Sequence, residues 1–555
     1  MEKIANKKSI LFLVLWLVVF VLYLPAAKAG FVDDFTGWLN AISTQGFWEY
    51  INRTHFEGKS LFQFTQFTTY IFYKLFGANA WAWHLLHVTL QALNAYLWFV
   101  LSSKIFSDTG IKYGKQIAIA GVLLFCVSPY LSEVIVWEPS FHYLQGFLLI
   151  LLILLQLQQF QYSGKAKHAW WAGFIFLLST YSLELFYLTP FLTLTLAVYY
   201  RFGLGYDKII FRKALVWFFL PQVILLIAHF SVYHSVYGEW LPHLKGDAFE
   251  HSWHYYLSKP AKYIFQVALL GRYFPAGVKN IIYDLTESTK AIAVVVSFIV
   301  LVVGFILLLF RKFSSHFKAA SILFIWILPV LVIMGPLWFP IVQPYVFFDR
   351  YLYLLDAFVI MLGCLLLNQL VKRTIFWLGV SAYGLMSIYF TFQTNKYWQI
   401  SAAIIDNLIY TIPEANDKTI ILLNPPENLQ GIPMLDATPE GEFKLAHNEF
   451  ASKKINTPIY DAMAFNMLTP QDGANVKVLN DSAVGVTLNQ WGTWWWYNAQ
   501  GGISYKNNDY SINMVDAGHY YELKLNKPLS AYLLLYMVDG QWKIVNPAIK
   551  NEVQK

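Results

Sequence analysis

The sequence predicts an α-helical polytopic membrane protein of about eleven transmembrane helices, followed by a C-terminal soluble extracytoplasmic domain of α/β or mostly β character. Three observations carry this prediction. First, only 13% of the 555 residues are charged and 57% are hydrophobic, with a mean hydropathy of +0.46. Soluble domains carry roughly 25% charged residues, so an ordinary soluble enzyme, a disordered chain and a nucleic-acid-binding protein are excluded. Second, apolar runs of roughly 18 residues, long enough to cross about 30 Å of hydrocarbon, recur through the first 400 residues. Third, the formal net charge of +7 is uneven: residues 391–555 hold 12 Lys, no Arg and 16 acidic residues, so the preceding part carries +11.

The expected spans are 9–27, 79–102, 116–136, 143–160, 169–182, 184–200, 214–235, 290–310, 319–340, 351–371 and 374–393. Residues 169–200 form one long apolar stretch interrupted at Ser182-Leu183-Glu184, and read as two short helices meeting near one membrane face. Lys3, Lys7 and Lys8 precede the first span; later basic clusters are Lys104/Lys112/Lys115, Lys165/Lys167, Arg201/Lys208/Arg212/Lys213, Arg311/Lys312/Lys318 and Lys372/Arg373. All fall on the side of the N-terminus, which the positive-inside rule makes cytoplasmic. An odd number of spans then puts residues 394–555 outside, as a domain separate from the membrane part, 1–393. Ala27-Lys28-Ala29 before Gly30 has the form of a signal-peptide cleavage site, but the apolar stretch ahead of it exceeds a usual signal core. Cys126 and Cys364 sit within spans and are not expected to pair. Phosphate-binding loops, dinucleotide fingerprints and metalloprotease motifs are absent from the sequence.

Ionisable groups at membrane depth mark function by default. The notable acidic residues of the membrane part fall at the outward ends of the expected helices. Asp33 and Asp34 follow the first span, Glu133 and Glu138 bracket the junction of the third and fourth, and Glu184 lies at the break between the fifth and sixth. Asp349 and Arg350 open the tenth, in Phe347-Phe-Asp-Arg-Tyr-Leu-Tyr353. Helix capping and dipole complementation are the plain alternative for Glu138 and Asp349, and snorkelling for Arg350. Glu133 and Glu184 are harder to explain that way, because apolar sequence flanks both. His84 and His87, one turn apart, read as structural rather than as a metal pair.

This pattern resembles the GT-C superfamily of membrane glycosyltransferases, in its protein O-mannosyltransferase-like and TMTC-like branch. The resemblance rests on the acidic pair Asp33-Asp34 in the first outward loop, the stretch His84-Leu-Leu-His-Val-Thr-Leu-Gln-Ala-Leu-Asn94, Pro129-Tyr-Leu-Ser-Glu-Val-Ile-Val-Trp137, Ser182-Leu-Glu-Leu-Phe-Tyr-Leu-Thr-Pro190 and Asp349-Arg-Tyr-Leu-Tyr353. It covers roughly residues 10–395, in consistent order. The chain departs from the pattern at Leu183, where a basic residue is usual. It departs again at Glu138-Pro-Ser-Phe-His-Tyr143, which replaces a polar stretch; His142 is the candidate stand-in for the missing base.

The resemblance implies transfer of a sugar from a polyprenyl-phosphate-linked donor to an extracytoplasmic glycan, lipid or protein acceptor, by an inverting displacement in a lipid bilayer. It implies Asp33 or Asp34 as general base. Arg350 is the candidate for the donor phosphate, because a guanidinium binds phosphate bidentately, and Glu133, Trp137, Glu184, Asp349 and Tyr351 are the candidate sugar- or acceptor-binding or supporting residues, with His142 added as the stand-in at a place where the family's contacts do not carry over. It implies no cofactor and no metal, while the histidines of the loop 236–289 leave a divalent metal open. A bacterial inner membrane is the expected location. The outward loop 30–78, with Trp38, Trp48 and the amphipathic stretch Phe62–Phe76, is suited to lie on the membrane surface and carry the acceptor. The loop 236–289, with His243, His251, His254, Trp240 and Trp253, is a candidate headgroup contact or lid.

In the tail, residues 419–426, 520–525 and 531–537 have strand character, and Trp491-Gly-Thr-Trp-Trp-Trp-Tyr497 offers rings either to sugars or to a core. The rival readings are a transporter or flippase of lipid-linked sugars and a cell-surface polysaccharide polymerase or ligase. A transporter is expected to carry ionisable groups near the bilayer midplane and often inverted repeats; the placement of charge at one face and the lack of a repeat favour an enzyme.

Overall fold

The computed structural model describes residues 8–32, 34–53, 60–182, 184–240, 263–275, 277–278, 281, 314–333, 349–413, 417–435, 457–490, 495–496, 504–516 and 518–546. The helices are α1 (Lys8–Tyr23), α2 (Asp34–Thr44), α3 (Phe47–Ile51), α4 (Gln63–Phe76), α5 (Ala80–Asp108), α6 (Gly114–Cys126) and α7 (Ser132–Val136). They continue as α8 (Phe141–Ser163), α9 (Lys167–Ser179), α10 (Thr189–Val198), α11 (Lys208–Tyr237), α12 (Ser314–Ile333), α13 (Tyr353–Leu370) and α14 (Arg373–Thr411).

Among the described residues seven helices are long and apolar enough to cross a membrane: α1, α5, α8, α11, α12, α13 and α14. A bent pair, α6 with residues 129–136, makes an eighth. This is fewer than the eleven spans expected. Residues 290–310 lie outside the described residues. The stretch 169–182 folds as α9, whose 13 residues at 1.5 Å each do not cover about 30 Å of hydrocarbon alone. The stretch 184–200 lies in one helical run, in which α10 is flanked by the 3₁₀ turn Glu184–Leu188 and the π turn Tyr199–Gly203, and this run is not among the seven.

The first helix is an integral wall of the bundle. Leu11, Leu15, Val19 and Tyr23 recur every four residues and form one buried face. Trp16 Nε1 donates to Thr89 Oγ1 of α5 at 3.0 Å, and Asn395 of α14 donates to the Leu22 carbonyl at 2.9 Å. Deeper in the bundle, Asn94 of α5 donates to the Leu144 carbonyl (2.9 Å) and to Tyr353 Oη (3.0 Å), while Tyr353 donates to Gln91 (2.6 Å). This polar knot ties α5, α8 and α13 together where apolar packing alone would leave their rotation loosely set.

The bend in the sixth helix positions the site. Ser128-Pro129 stops α6, because proline lacks the N–H that the helix needs, and the chain turns by 55° before α7. Carbonyls freed at such a break must be satisfied within the protein. Thr391 donates to the Val127 carbonyl at 3.1 Å and Tyr23 to the Ser128 carbonyl at 3.2 Å. The break is therefore built, and it points α7 with Glu133 toward the head of α13.

Helix α4 is amphipathic in an unusual sense. Its buried face is polar: Thr65 donates to Gln145 Oε1 of α8 at 2.8 Å, and Gln145 Nε2 donates to Thr68 at 3.0 Å. Phe67, Ile71 and Leu75, four residues apart, are exposed.

The last helix, α14, runs unbroken past residue 393 and packs its final turns against the strand-rich part, where Trp542 N donates to Asn407 at 2.7 Å. The described strands are β1 (Thr419–Leu422), β2 (Pro426–Leu429), β3 (Ile432–Pro433), β4 (Ile459–Asp461), β5 (Ala464–Met467), β6 (Ala474–Asn480) and β7 (Ala483–Leu488). They continue as β8 (Trp495–Trp496), β9 (Tyr505–Lys506), β10 (Tyr510–Asp516), β11 (Tyr520–Leu525), β12 (Tyr532–Val538) and β13 (Gln541–Ile544). Three sheets result, in the orders β13-β12-β1-β4, β6-β7-β11-β10-β9 and β3-β2-β5-β8. The near-continuous apolar run of β12 fits a strand buried beside the parallel β1. Of the Trp491–Tyr497 segment only Trp495–Trp496 is described, as a short strand paired with β5; the remainder lies outside the described residues.

Candidate functional site

Asp349 and Arg350 open a 3₁₀ turn, Asp349–Leu352, that leads into α13, at the opposite end of that helix from Lys372-Arg373. Neighbours in sequence, they reach two different partners. Asp349 receives a fork from Arg272: Nη1 donates to Oδ2 at 2.6 Å and Nη2 donates to Oδ1, with both side chains almost fully buried. Arg350 donates through Nη1 to Glu133 Oε1, and its backbone N–H donates to Glu133 Oε2 at 2.8 Å. Two cations and two anions thus alternate, each pair formally neutral, which is how ionised groups become tolerable away from water. Asp349 is more than a helix cap here.

Arg272 belongs to none of the sequence motifs. It sits on a 3₁₀ turn, Gly271–Tyr273, entered through Leu270 in the left-handed region at φ 55°. A Cβ on Gly271 would lie 2.3 Å from the Phe265 ring, so the turn that presents the arginine needs glycine. Aromatic rings line both guanidiniums. Arg272 stands 4.9 Å from the centre of Tyr130, and Arg350 stands 5.1 Å from Trp137 and 4.9 Å from Tyr351, within cation–π range. Tyr351 in turn meets Tyr143 edge to face at 6.1 Å.

Trp137 connects this cluster to the first loop. Its ring faces Arg350 and its Nε1 donates to the Val32 carbonyl at 3.2 Å. Two residues before Val32, Gly30 lies so close to the 136–138 segment that a Cβ there would fall 1.9 Å from Glu138 Oε2 and 2.0 Å from the Val136 carbonyl oxygen. Residues 30–32 are therefore docked on the backbone that follows Glu133. Asp34 begins α2; Asp33 lies outside the described residues, and only the backbone of Asp34 is described.

His142 lies on the first turn of α8, its ring 4.8 Å from Tyr143 and 6.3 Å from Phe62, within electrostatic reach of Arg350. Glu184 opens the 3₁₀ turn Glu184–Leu188, within electrostatic reach of Tyr143. The structure thus gathers Glu133, Trp137, His142, Asp349, Arg350 and Tyr351 at one place and adds Arg272, Tyr130 and Tyr143. His84 and His87 are buried on α5, and His87 Nδ1 pairs with the Val134 carbonyl at 3.0 Å, a packing role. No cluster of three or more His, Cys, Asp or Glu suited to a metal occurs among the described residues. Of the 236–289 loop, His243, His251, His254 and Trp253 lie outside the described residues, and Trp240 is exposed, its ring stacked on His234.

A further carboxylate outside the motifs is Asp356, fully buried early in α13 and near Ser128 and Tyr23 at the helix break. Chemically, the cluster offers guanidiniums to an anion, carboxylates to hydroxyls or cations, and aromatic walls that exclude water.

No family model matches the chain, and no curated protein does. Among solved structures, ArnT from Cupriavidus metallidurans in the apo state is similar to it at 13% identity over 83% of this chain and 93% of that one, with a TM-score of 0.38.

Proposed function

We propose that this chain is a membrane glycosyltransferase of the GT-C superfamily, in the protein O-mannosyltransferase-like branch, using a polyprenyl-phosphate-linked sugar and an extracytoplasmic acceptor. The observation that carries the reading is the meeting of two carboxylate–guanidinium pairs, Glu133–Arg350 and Asp349–Arg272, beside the docked segment that leads into Asp33-Asp34. The run of basic clusters supports a cytoplasmic N-terminus and a strand-rich domain outside.

In this reading an acceptor hydroxyl attacks the anomeric carbon. Asp33 or Asp34 takes its proton, a new C–O bond forms, and the bond from the anomeric carbon to the phosphate oxygen breaks. The electron pair leaves with the polyprenyl phosphate, and one displacement inverts the anomeric centre. Charge that develops on the leaving phosphate meets Arg350, whose guanidinium geometry suits phosphate, with Arg272 behind it. Glu133 and Asp349 hold both cations in place before the donor arrives, so little reorganisation is needed as the bond breaks. Glu184, His142, Trp137 and Tyr351 shape the sugar pocket. The exposed apolar stripe Phe67/Ile71/Leu75 of α4 meets lipid at the outward interface, where lipid-borne substrates arrive.

One observation favours transport of lipid-linked sugars instead: Asp356 is an ionisable group inside a span, as transporters have. The deciding experiment supplies labelled polyprenyl-phosphate-sugar to purified protein in vesicles, comparing wild type with Asp33→Asn, Asp34→Asn and Arg350→Gln. A positioned base contributes about 10²–10⁴-fold, so one Asp variant should lose at least two orders of magnitude in transfer. Full transfer by both Asp variants refutes the base assignment. Label that crosses the bilayer without transfer makes the protein a flippase.

A further inference from the structure

We infer that a cleft beside the first loop is a subsite for one sugar ring of the acceptor, an inference that rests on the transferase reading. The cleft has a volume of about 330 Å³ and is lined by Lys28, Phe31, Asn79, Trp81, Ile405 and Asp406. Small-molecule sites run from roughly 300 to 1,000 Å³, so this one has room for a monosaccharide and little more.

Its walls come from three elements fixed to one another. Gln399 of α14 donates to the Pro25 carbonyl at 2.5 Å, and Asn395 of the same helix holds the Leu22 carbonyl. Asn79 caps α5, its Oδ1 accepting from Trp81 N at 3.1 Å and Ala82 N at 3.4 Å, which leaves its amide nitrogen as the donor end. Two tryptophans two residues apart divide their work. Trp83 is buried and donates to the Gly77 carbonyl at 2.9 Å, whereas Trp81 is 38% exposed and lines the cleft. The helix does not need Trp81 for its core.

The side-chain chemistry matches a polyol. An indole face accepts the C–H face of a pyranose, a large apolar contact at low entropic cost. A carboxylate, an amide and an ammonium around it accept from and donate to hydroxyls. Lys28 lies within electrostatic reach of Asp406, so the cleft has one charge of each sign. That balance disfavours a phosphate or a polyanion and leaves a sugar as the fitting occupant. Position points to the acceptor: Phe31 lies two residues before Asp33, so at about 3.5 Å per residue no more than about 10 Å of chain separates the cleft from the acidic pair. A ring seated on Trp81 would hold the next sugar of a glycan near the proposed base. The alternative is that Trp81 merely anchors the helix end at the membrane interface.

The test measures binding without any donor. Methyl glycosides of glucose, galactose, mannose and N-acetylglucosamine are presented to the full chain in nanodiscs, and contact is read by saturation-transfer difference NMR. At least one glycoside should bind wild type. Trp81→Ala and Asp406→Asn should each weaken that binding about tenfold or more, and Trp81→Phe should keep part of it. In the transfer assay the same variants should raise the acceptor KM with kcat and donor KM unchanged. Absence of glycoside binding by wild type, or undiminished binding by both Trp81→Ala and Asp406→Asn, overturns the subsite; the latter result leaves Trp81 an interfacial anchor. Binding that responds to the variants in a protein unable to transfer sugar upholds the cleft as a sugar site but overturns its assignment to an acceptor, together with the transferase reading.

Discussion

Replacing Asp349 by Asn probes the charge arrangement of the site most directly. The substitution keeps the size of the side chain and one acceptor oxygen but removes its charge. Arg272 cannot respond by giving up its proton, because a guanidinium stays charged under any folding condition. Its side chain is 6% exposed and that of Asp349 1% exposed, so no solvent takes over the lost partner. Breaking a buried pair from one side costs about 3–5 kcal/mol. The ring of Tyr130 stands 4.9 Å from the guanidinium, and a desolvated cation–π contact contributes about 2 kcal/mol. That contact is present with either residue at 349, so it cancels from the difference and the loss of the pair stands. A fall of about 3 kcal/mol in unfolding free energy is therefore expected.

The assay is equilibrium unfolding of the purified protein by titration with denaturing detergent. The companion Arg272→Met/Asp349→Leu removes both charges and should recover most of the loss, because apolar replacement of a whole buried pair is often neutral or better. The coupling between the two positions should then exceed about 2 kcal/mol in a double-mutant cycle. The Lys104–Asp108 pair, one turn apart on α5 with its lysine part-exposed and 4.4 Å from the Tyr162 ring centre, is the internal control; Lys104→Ala should cost no more than about 1 kcal/mol. If Asp349→Asn costs less than about 1 kcal/mol, or the two sites prove additive, Arg272 and Asp349 are not a buried coupled pair. The charge arrangement proposed for the donor site then fails with them.

Gly30→Ala should displace the segment before Asp33-Asp34, because its Cβ would collide with Glu138 and the Val136 carbonyl; a shift of about 1 Å can cost about 10²-fold in rate, so kcat in the sugar-transfer assay should fall by that order while donor KM holds. Trp137→Phe retains a ring over Arg350 but loses the bond to the Val32 carbonyl, and detergent unfolding should register about 1 kcal/mol. Thr391→Val leaves the Val127 carbonyl at the helix break without its donor, for a loss of about 1–3 kcal/mol in the same titration. In the strand-rich part, Asn424 both accepts from Met537 N and donates to Met537 O, each at 2.7 Å; Asn424→Ala strands two buried backbone groups, and limited proteolysis of that part should quicken markedly at a cost of about 2–4 kcal/mol.

The helices are legible in the sequence wherever apolar length alone decides them, as in α5, α8, α13 and α14. Length says nothing about how a proline break is stabilised, so residues 116–136 read as one straight span although the chain bends by 55° at Ser128-Pro129. The α9–α10 stretch shows the reverse: its interruption at Ser182–Glu184 is visible in the sequence, but 169–182 reads there as a span of its own, whereas α9 has only 13 residues. Strands β11 and β12 are legible because alternating or continuous apolar runs report burial on one face or two. The pairing of β1 with both β4 and β12 is not, since parallel partners are set by long connections and leave no local mark.

The site is legible for a different reason. Glu133, Asp349 and Arg350 stand out because apolar residues surround them, and a charge in such a setting needs a partner. Arg272 meets the same criterion, with Val267-Ala-Leu-Leu-Gly271 before it and Tyr273-Phe274 after it, but it lies in the 236–289 segment that reads as a loop between spans, where a basic residue attracts no notice. Yet Asp349 and Glu133 are two buried carboxylates close to a single cation of their own motif. Charge balance away from water demands a second cation near them, and a search for an arginine in the 236–289 loop, behind a glycine that permits a tight turn, leads to Gly271-Arg272. The basic clusters that orient a membrane protein lie at one end of its helices; Arg272 and Arg350 lie at the other end of α13 from Lys372-Arg373, each tied to a carboxylate. Basic residues that break the orientation pattern are thus the ones held by acid partners, and counting unbalanced carboxylates at the end away from the basic clusters is a way to find them from the amino-acid sequence alone.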